Sequence, residues 1–196
     1  MNIGFIGLGR MGSAMARNLQ VAGHKLFVND VRREACNDVI ADGGMFIATP
    51  AEVARHAEAV LISVPGPDQV SDVLAGDGGL LAGLSDGMLV IDATTIAPGN
   101  SIENAQLCAA RGAAYIDAPV SGGQHGAISG DLAAMVGADV IAFERARPIL
   151  ECITNSITHV GPIGSGSTIK LLNQLIFVSY QLVFAEGLTI GEDLGL

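Results

Sequence analysis

The feature that most constrains the fold is a glycine pattern close to the start of the chain. Gly7, Gly9 and Gly12 follow an apolar segment at residues 3–6 and lead into helical periodicity at residues 11–22. In such a strand–turn–helix unit the first glycine permits a tight turn and the second lets a pyrophosphate approach the backbone. The third allows close packing of the helix on the strand. The N–H groups that open the helix can then meet phosphate charge, so the pattern predicts dinucleotide binding.

The rest of the chain alternates apolar, β-branched segments with segments of helical periodicity. We predict strands at 3–6, 25–29, 46–48, 59–64, 88–92, 113–116, 132–136 and 157–160, and helices at 11–22, 32–41, 50–56, 98–111 and 139–152. This alternation is typical of right-handed βαβ crossovers. It predicts an α/β fold with a Rossmann-type, doubly wound and mostly parallel sheet that is covered by helices on both faces. We assign this dinucleotide-binding domain to residues 1–163.

The last segment differs from the rest, because residues 167–194 can form one long helix that is apolar on most of its faces. Asn173, Gln174 and Gln181 interrupt its apolar run, which argues against a membrane span of about 20 apolar residues. A helix of this kind is normally buried between other elements. We therefore expect either that a partner chain covers it or that the chain is a fragment. In the second case residues 164–196 are an inter-domain helix, the start of an all-helical domain that is otherwise absent.

Composition argues against several classes of function. The 196 residues carry a net charge of −10, which disfavours binding to nucleic acid and to anionic membrane surfaces. Cys36, Cys108 and Cys152 are odd in number and far apart, so we predict neither a disulfide framework nor a zinc cluster. The four histidines share no ligand spacing, and we expect no metal. The chain opens without a cationic leader, which favours a cytoplasmic location.

An acidic residue ends the second predicted strand, 18 residues after Gly12. Asp30 at this position would accept hydrogen bonds from the ribose hydroxyls of NAD and would repel the 2′-phosphate of NADP. Arg32 and Arg33 follow closely and could instead pair with that phosphate, or they could form a solvated first turn of the next helix. The sequence therefore favours NAD as cofactor and leaves NADP open.

Two further segments carry groups suited to chemistry. Ser121, Gly122 and Gly123 follow a predicted strand and offer backbone N–H groups and a hydroxyl that could hold a carboxylate, although an ordinary glycine-rich loop is an equal interpretation. Lys170 and Asn173 have the i, i+3 spacing that puts two side chains on one helix face. Desolvation in an apolar helix would favour the neutral lysine, which suits proton transfer. The alternative is a surface lysine near the start of a helix.

Four motifs occur in a fixed order along the chain. They are Gly-Phe-Ile-Gly-Leu-Gly-Arg-Met-Gly at residues 4–12, Asp-Ala-Thr-Thr-Ile at 92–96, Asp-Ala-Pro-Val-Ser-Gly-Gly at 117–123, and Gly-Ser-Gly-x-x-x-Lys-x-x-Asn-Gln at 164–174. Together they resemble the β-hydroxyacid dehydrogenase family, whose members include 3-hydroxyisobutyrate dehydrogenase and tartronate semialdehyde reductase. The resemblance covers the whole chain and implies an NAD-binding domain like that of 6-phosphogluconate dehydrogenase.

The resemblance implies roles for the residues of the later motifs. Lys170 would be the catalytic acid/base and Asn173 would orient the substrate, while Ser121, Gly122 and Gly123 would hold the substrate carboxylate. Related imine-reducing enzymes replace the lysine, so its presence here indicates alcohol and aldehyde chemistry.

The resemblance also implies contacts on the cofactor side. Val64 and Pro65 would pack along the cofactor and Thr95 would reach its nicotinamide end, whereas Gln69 stands where some members have a cofactor-contacting Asn. The full set of expected cofactor contacts is Gly7, Leu8, Gly9, Arg10, Met11, Gly12, Asn29, Asp30, Val64, Pro65 and Thr95.

Other polar residues receive different interpretations. We interpret Asp117 as a structural loop acid rather than a base. His125 lies two residues after the Ser-Gly-Gly segment and could tune substrate choice. Asp68, Asp72 and Asp77 are interpreted as solvated loop or cap residues.

These observations predict an NAD(P)-dependent oxidoreductase that interconverts a small β-hydroxy acid and its semialdehyde by hydride transfer, with Lys170 as general acid/base and a small carboxylate as substrate. Activity of the tartronate or succinic semialdehyde reductase type is an alternative. A non-catalytic dinucleotide-binding module is another. A third is a chain that binds cofactor without turnover. In the family a helical domain closes the cleft and supplies a second lysine, and a fragment without that domain would lack both. The apolar last helix predicts a homodimer or higher homo-oligomer.

Overall fold

The computed structural model describes every residue from Met1 to Leu196, in nine strands and eight α-helices. In chain order these are β1 (Asn2–Ile6), α1 (Arg10–Val21), β2 (Lys25–Asn29), α2 (Asn37–Ala41), β3 (Met45–Phe46), α3 (Pro50–His56), β4 (Ala59–Ile62), α4 (Pro67–Ala75), β5 (Leu89–Asp92), α5 (Pro98–Ala109), β6 (Ala114–Asp117), β7 (Val120–Ser121), α6 (Gly123–Ser129), β8 (Leu132–Gly137), α7 (Val140–Leu150), β9 (Thr154–Gly161) and α8 (Ser165–Asp193). Short 3-10 turns occupy Arg33–Cys36 and Leu80–Ala82.

The strands form one sheet in the order β3-β2-β1-β4-β5-β6-β8-β7, with β9 also paired to β8. All pairs from β3 to β6 are parallel, as are β8 and β9, whereas β8 runs antiparallel to β6 and β7. The predicted doubly wound, mostly parallel sheet is therefore confirmed. The direction of winding reverses between β1 and β4, and ligands of open α/β sheets bind beyond the carboxyl ends of the strands at such a point.

The core is divided between the two faces of the sheet, because successive side chains of a strand point to opposite sides. In β4, Leu61 packs in the cluster that contains Met15 of α1, while Ile62 packs with Leu74 of α4 on the other face. Each fully buried aliphatic side chain of this kind contributes about 1.5–3 kcal/mol relative to an exposed one. Helices packed on both faces thus fix the carboxyl ends of the central strands, where Asn29, Asp30 and Ser63 lie.

The structure contains α4, which the sequence analysis did not predict. Pro67 lies in its first turn, where a proline has no hydrogen bond to lose, and Val70 and Leu74 are buried one turn apart. This helix was missed because it spans only nine residues and a Pro-Gly pair, Pro65 and Gly66, precedes it. As a result Asp72, interpreted above as a loop or cap residue, lies inside a helix.

Smaller differences concern the edges of other elements. The helix predicted at 32–41 is a 3-10 turn followed by α2, and the strand predicted near 157–160 extends over the whole of β9. The short elements β7 and α6 were not predicted, because residues 120–129 contain three glycines and show no clear period.

The predicted last helix is confirmed as α8, but only its first turns pack against the domain. Gly166, Ser167 and Lys170 are its buried residues. Beyond them the apolar side chains are exposed, among them Leu175, Ile176, Phe177, Val178, Tyr180, Leu182, Val183 and Phe184. By length and composition alone α8 could cross a membrane, and 6% of its most apolar stretch is buried.

Candidate cofactor groove and active site

The three glycines after β1 meet three different steric demands. Gly7 has a φ of +93°, and a Cβ atom there would overlap the carbonyl oxygen of Ser63. A Cβ on Gly12 would likewise overlap the carbonyl oxygen of Gly7. A Cβ on Gly9, by contrast, would meet no protein atom within 4 Å. Packing within the protein therefore requires the first and third glycines, while the second leaves an open space into which a pyrophosphate fits.

Asp30 holds the glycine-rich loop in place. One of its carboxylate oxygens accepts the backbone N–H of Leu8 at 2.7 Å, and the other accepts the backbone N–H of Arg32 at 2.8 Å. Carboxylate oxygens can accept more than one hydrogen bond, so acceptor capacity is left for ribose hydroxyls. The amide of Leu8, by contrast, already has an intramolecular partner, and the Leu8 side chain is buried. Leu8 thus belongs to the frame of the site, not to its surface.

Asn29 also has a structural part that the sequence did not indicate. Its side-chain NH2 group donates to the carbonyl oxygens of Ile47 at 2.8 Å and Ala48 at 3.1 Å. Its backbone carbonyl oxygen accepts the N–H of Gly7. The two amide hydrogens are therefore used within the protein. Asn29 joins the glycine-rich loop to the connection between β3 and α3, and only its side-chain oxygen is left for a ligand.

A groove of about 890 Å³ lies beyond the carboxyl ends of β1, β2 and β4. Its volume is in the range of cofactor sites, about 300–1,000 Å³. The predicted contacts that line it are Gly7, Gly9, Arg10, Met11, Gly12, Asn29, Asp30, Val64 and Pro65. Thr95 is exposed and lies outside this wall, while its neighbour Thr94 is buried. The groove therefore brings together the glycine-rich loop, the acid after β2 and the segment after β4.

Several residues of the groove wall were not predicted as site residues. Asp72 and Val73 lie on α4, as does Gln69, which the family resemblance had already placed beside the cofactor, while Thr49 precedes α3 and accepts the backbone N–H of Glu52 as its N-cap. The signal for α4 was present in the sequence: Pro67 stands at the first helical position, and the apolar residues Val70, Val73 and Leu74 follow it with i, i+3, i+4 spacing. Without that helix, no pattern in the sequence indicates that its polar side chains reach the same groove as Asp30.

Charges of both signs line the groove. Asp72 and Asp77 contribute carboxylates from the α4 side, and Arg32 and Arg33 contribute guanidinium groups from the side of β2. Arg33 lies over the ring of Phe46, with its guanidinium carbon 5.2 Å from the ring centroid. Arg32 is 3.9 Å from Asp30 through Nε. The two arginines line the groove and are exposed, and Arg33 begins the 3-10 turn Arg33–Cys36, so a solvated turn and a contact with a 2′-phosphate both stay open.

The predicted carboxylate segment begins in β7 and ends at the start of α6. Ser121 pairs with Ala133 of β8 and is half-buried, whereas Gly122 and Gly123 are exposed. Their φ values are +132° and +62°, which are strained for residues with a side chain. The backbone of this turn is therefore accessible in a shape that only glycine adopts easily.

Lys170 is a buried lysine, with 7% of its surface exposed. Its Nζ donates to Oε1 of Gln174 at 3.1 Å, one turn further along α8. Burial lowers the pKa of this amine, because desolvation disfavours the charged form. The alternative of a surface lysine is therefore wrong. Asn173 is exposed on the same helix.

Asp117 connects the two motifs that are predicted to bind substrate. Its carboxylate accepts the N–H of Gly164 at 2.8 Å and the N–H of Ser167 at 2.7 Å, so it caps the start of α8. Burial raises the pKa of Asp117, and these hydrogen bonds act in the opposite direction. The interpretation as a structural acid is confirmed. Asp117 lies at the end of β6, from which the chain continues to Ser121, and Lys170 follows Ser167 by one helical turn.

The doubly wound sheet, the glycine-rich loop and the groove define a dinucleotide-binding domain of the Rossmann class. Residues 2–161 match the family model described as the NAD binding domain of 6-phosphogluconate dehydrogenase. The chain is 36% identical over its full length to 2-(hydroxymethyl)glutarate dehydrogenase of Eubacterium barkeri, and 38% identical over 99% of its length to the NAD-dependent L-serine dehydrogenase of Pseudomonas aeruginosa. It covers 65% of each of these two relatives.

Among solved structures, that of Mycobacterium tuberculosis 3-hydroxyisobutyrate dehydrogenase with L-serine superposes with a TM-score of 0.93 at 34% identity. The superposition covers 100% of this chain and 66% of the other. The chain belongs to the β-hydroxyacid dehydrogenase family, and its cofactor is a nicotinamide adenine dinucleotide. The resemblance seen in the four motifs is thereby confirmed.

Proposed function

We propose that this protein is an NAD(P)-dependent oxidoreductase that interconverts a small β-hydroxy acid and its semialdehyde. The observation that carries the proposal is the burial of Lys170, with a lowered pKa, on a helix whose start is joined to the Ser121 segment through Asp117. The relatives named above act on, or are bound to, 2-(hydroxymethyl)glutarate, L-serine and 3-hydroxyisobutyrate. All three molecules carry a hydroxyl on the carbon next to the one that bears a carboxylate.

In the proposed reaction Lys170 moves the proton. Its neutral amine takes the hydroxyl proton of the β-hydroxy acid during oxidation, and its ammonium form returns a proton to the carbonyl oxygen during reduction of the semialdehyde. When bound, the nicotinamide accepts or supplies the hydride. Ser121 and the amides of Gly122 and Gly123 bind the carboxylate, and Asn173 orients the substrate. We propose no metal for this reaction, because the lysine already supplies the acid/base function.

The cofactor would lie along the groove. Gly9 leaves room for the pyrophosphate, Asp30 receives the ribose hydroxyls, and Val64 and Pro65 flank the cofactor. Thr95 is proposed for the nicotinamide end. NAD is the preferred cofactor because the half-buried carboxylate of Asp30 is held in place by two backbone N–H groups and would repel a 2′-phosphate. The arginines at 32 and 33 keep NADP as a second cofactor to be tested.

The whole-protein properties are proposals of the same kind. The exposed apolar side of α8 favours a homodimer or higher homo-oligomer, and the net charge of −10 argues against nucleic acid as a partner. Asn173, Gln174 and Gln181 within α8 argue against a membrane span. A cytoplasmic location and a domain boundary between residues 163 and 164 complete the proposal. A monomer in light scattering at high concentration would contradict the oligomer.

The decisive experiment measures binding and turnover on the same 196-residue chain. NADH and NADPH are titrated by fluorescence, and turnover is followed with a panel of 3-hydroxyisobutyrate, L-serine, 2-(hydroxymethyl)glutarate, tartronate semialdehyde and succinic semialdehyde. Turnover of one of these with either cofactor supports the proposal. Tight NADH binding without turnover supports the alternative, in which this chain alone is a cofactor-binding module. A chain that binds neither nucleotide contradicts both.

A further inference from the structure

Thr94 is buried at the end of β5, next to the segment that lines the groove after β4. The pairing of these strands ends where Ile62 lies opposite Asp92, and the N–H of Ala93 donates to the carbonyl oxygen of Ile62 as the last bond of the ladder. Beyond this point Val64 has left the sheet and has no strand partner for its N–H. The hydroxyl of Thr94 accepts that N–H at 3.2 Å.

The position of the Thr94 hydroxyl is set by Asp92. The backbone N–H of Thr94 donates to Oδ1 of Asp92 at 2.8 Å, which closes a tight turn at the end of β5. The other carboxylate oxygen of Asp92 accepts the hydroxyl of Tyr115 at 2.7 Å, and Asn104 donates to that hydroxyl at 3.4 Å. Asp92 is 1% exposed, so this chain of hydrogen bonds is shielded from water and links β5, β6 and α5.

The chain of hydrogen bonds reaches the phosphate-binding loop through Val64. A Cβ atom added to Gly7 would come within 2.8 Å of Cγ1 of Val64, so the side chain of Val64 lies directly against the turn of the glycine-rich loop. Val64 and Gly7 both line the groove. A shift of the Val64 peptide would therefore move one wall of the groove and press on the loop that opens it.

We propose that Thr94 is a positioning residue for cofactor binding, whose hydroxyl, anchored by the turn at Asp92, holds the Val64 peptide in the groove wall. Thr94 does not touch the cofactor in this arrangement, and it acts through Val64. The inference rests on the proposed binding of a nicotinamide dinucleotide in the groove.

The test replaces the hydroxyl and then restores it. Thr94→Val keeps the branched shape but removes the acceptor of the Val64 N–H, and we expect the dissociation constant for NADH to rise about 3- to 10-fold, as for the loss of one hydrogen bond. Thr94→Ser keeps the acceptor, and its dissociation constant should stay within about twofold of the unaltered chain. In the ligand-free protein, hydrogen exchange of the Val64 amide should accelerate in Thr94→Val and not in Thr94→Ser.

A matched control separates positioning from general stability. Thr154 is also buried, and its hydroxyl donates to the carbonyl oxygen of Leu150, outside the residues that line the groove. Thr154→Val should lower the melting temperature and leave NADH affinity unchanged. Equal NADH affinity in Thr94→Val and the unaltered chain would overturn the inference alone, as would a Thr94→Ser variant that binds as poorly as Thr94→Val. If the unaltered chain binds no nicotinamide nucleotide, the proposed function falls together with this inference.

Discussion

Asp117 accepts a hydrogen bond of 2.7 Å from the backbone N–H of Ser167, a residue 50 positions later in the chain. Together with the bond from Gly164, this contact places a buried carboxylate at the start of α8, where the helix dipole and the unpaired N–H groups favour negative charge. The bond therefore joins the strand that leads into Ser121 to the helix that carries Lys170. Two motifs that are distant in sequence are held as one unit.

Removal of this carboxylate should destabilise the protein. Asp117→Ala leaves the N–H groups of Gly164 and Ser167 buried without a partner, and we expect a loss of about 2–4 kcal/mol in the free energy of unfolding. Urea denaturation measures it. Asp139→Ala is the matched control, because Asp139 caps α7 through one half-buried bond to Ala142 and its loss should cost about 1 kcal/mol. Equal costs for the two variants would contradict the cap at Asp117.

The lowered pKa of Lys170 predicts a pH dependence of opposite sign for the two reaction directions. Oxidation needs the neutral amine, so its rate should rise as the pH increases through the pKa of Lys170, whereas reduction needs the ammonium form and should fall. Lys170→Ala should lower turnover by about 10²- to 10⁴-fold, the usual share of a general acid/base, with NADH affinity unchanged. Asn173→Ala should mainly raise the KM for the β-hydroxy acid. Turnover of Lys170→Ala within a few fold of the unaltered protein would refute the assigned role.

Asp92 predicts a stability that depends on pH. Burial raises the pKa of its carboxyl from the usual value near 3.8 to about 6. As the pH rises from about 4 to about 6, the unfolded chain releases this proton before the folded one does, so the folded state loses about 3 kcal/mol of relative stability. Asp92→Asn has no such proton. We therefore expect the unfolding free energy of Asp92→Asn to increase relative to that of the unaltered chain between pH 4 and pH 7. Parallel curves of unfolding free energy against pH would show that burial does not raise the pKa of Asp92.

Two glycines predict opposite outcomes of the same substitution. Gly9→Ala adds a methyl group where no protein atom lies within 4 Å, so the ligand-free protein should fold with an unchanged melting temperature, while NADH affinity falls at least tenfold if the pyrophosphate fills that space. Gly12→Ala forces an overlap with the carbonyl oxygen of Gly7 and should destabilise the fold itself. Fluorescence titration and thermal unfolding distinguish the two. Normal NADH binding by Gly9→Ala would place the pyrophosphate elsewhere.

Asp30 predicts a change in cofactor preference. Asp30→Asn removes the charge that repels a 2′-phosphate but keeps an acceptor for the Leu8 or Arg32 amide, so the ratio of the NADPH and NADH dissociation constants should move toward NADPH. Arg32→Ala should instead weaken NADPH binding and leave NADH nearly unaffected. Both cofactors are titrated by fluorescence on each variant. An unchanged ratio in Asp30→Asn would show that the carboxylate does not set the preference.

The sequence by itself determined the features that depend on neighbouring residues. The left-handed turn at Gly7, the contact between Gly12 and Gly7 and the length of α8 follow from local backbone conformation or from a repeating apolar period. The burial of Lys170 did not follow from the sequence, because its apolar neighbours Leu171 and Leu172 are exposed and Lys170 is buried only where the first turns of α8 pack against the domain. Family membership followed from the order of the four motifs.

Only the tertiary structure decided which polar groups serve the frame and which face the groove. Hydrogen-bond partners come from strand ends that the sheet makes adjacent, such as Asp30 with Leu8 and Thr94 with Val64, and no local pattern encodes that pairing. The same reason explains why the place of Asp72 in the groove was not predicted: Asp72 is exposed, and it lies in the groove wall only because α4 packs through Val70 and Leu74 in the cluster that contains Ile62 of β4. Backbone N–H groups at the partly buried strand ends need a hydrogen-bond partner, and the fold supplies one from the other end of the pair.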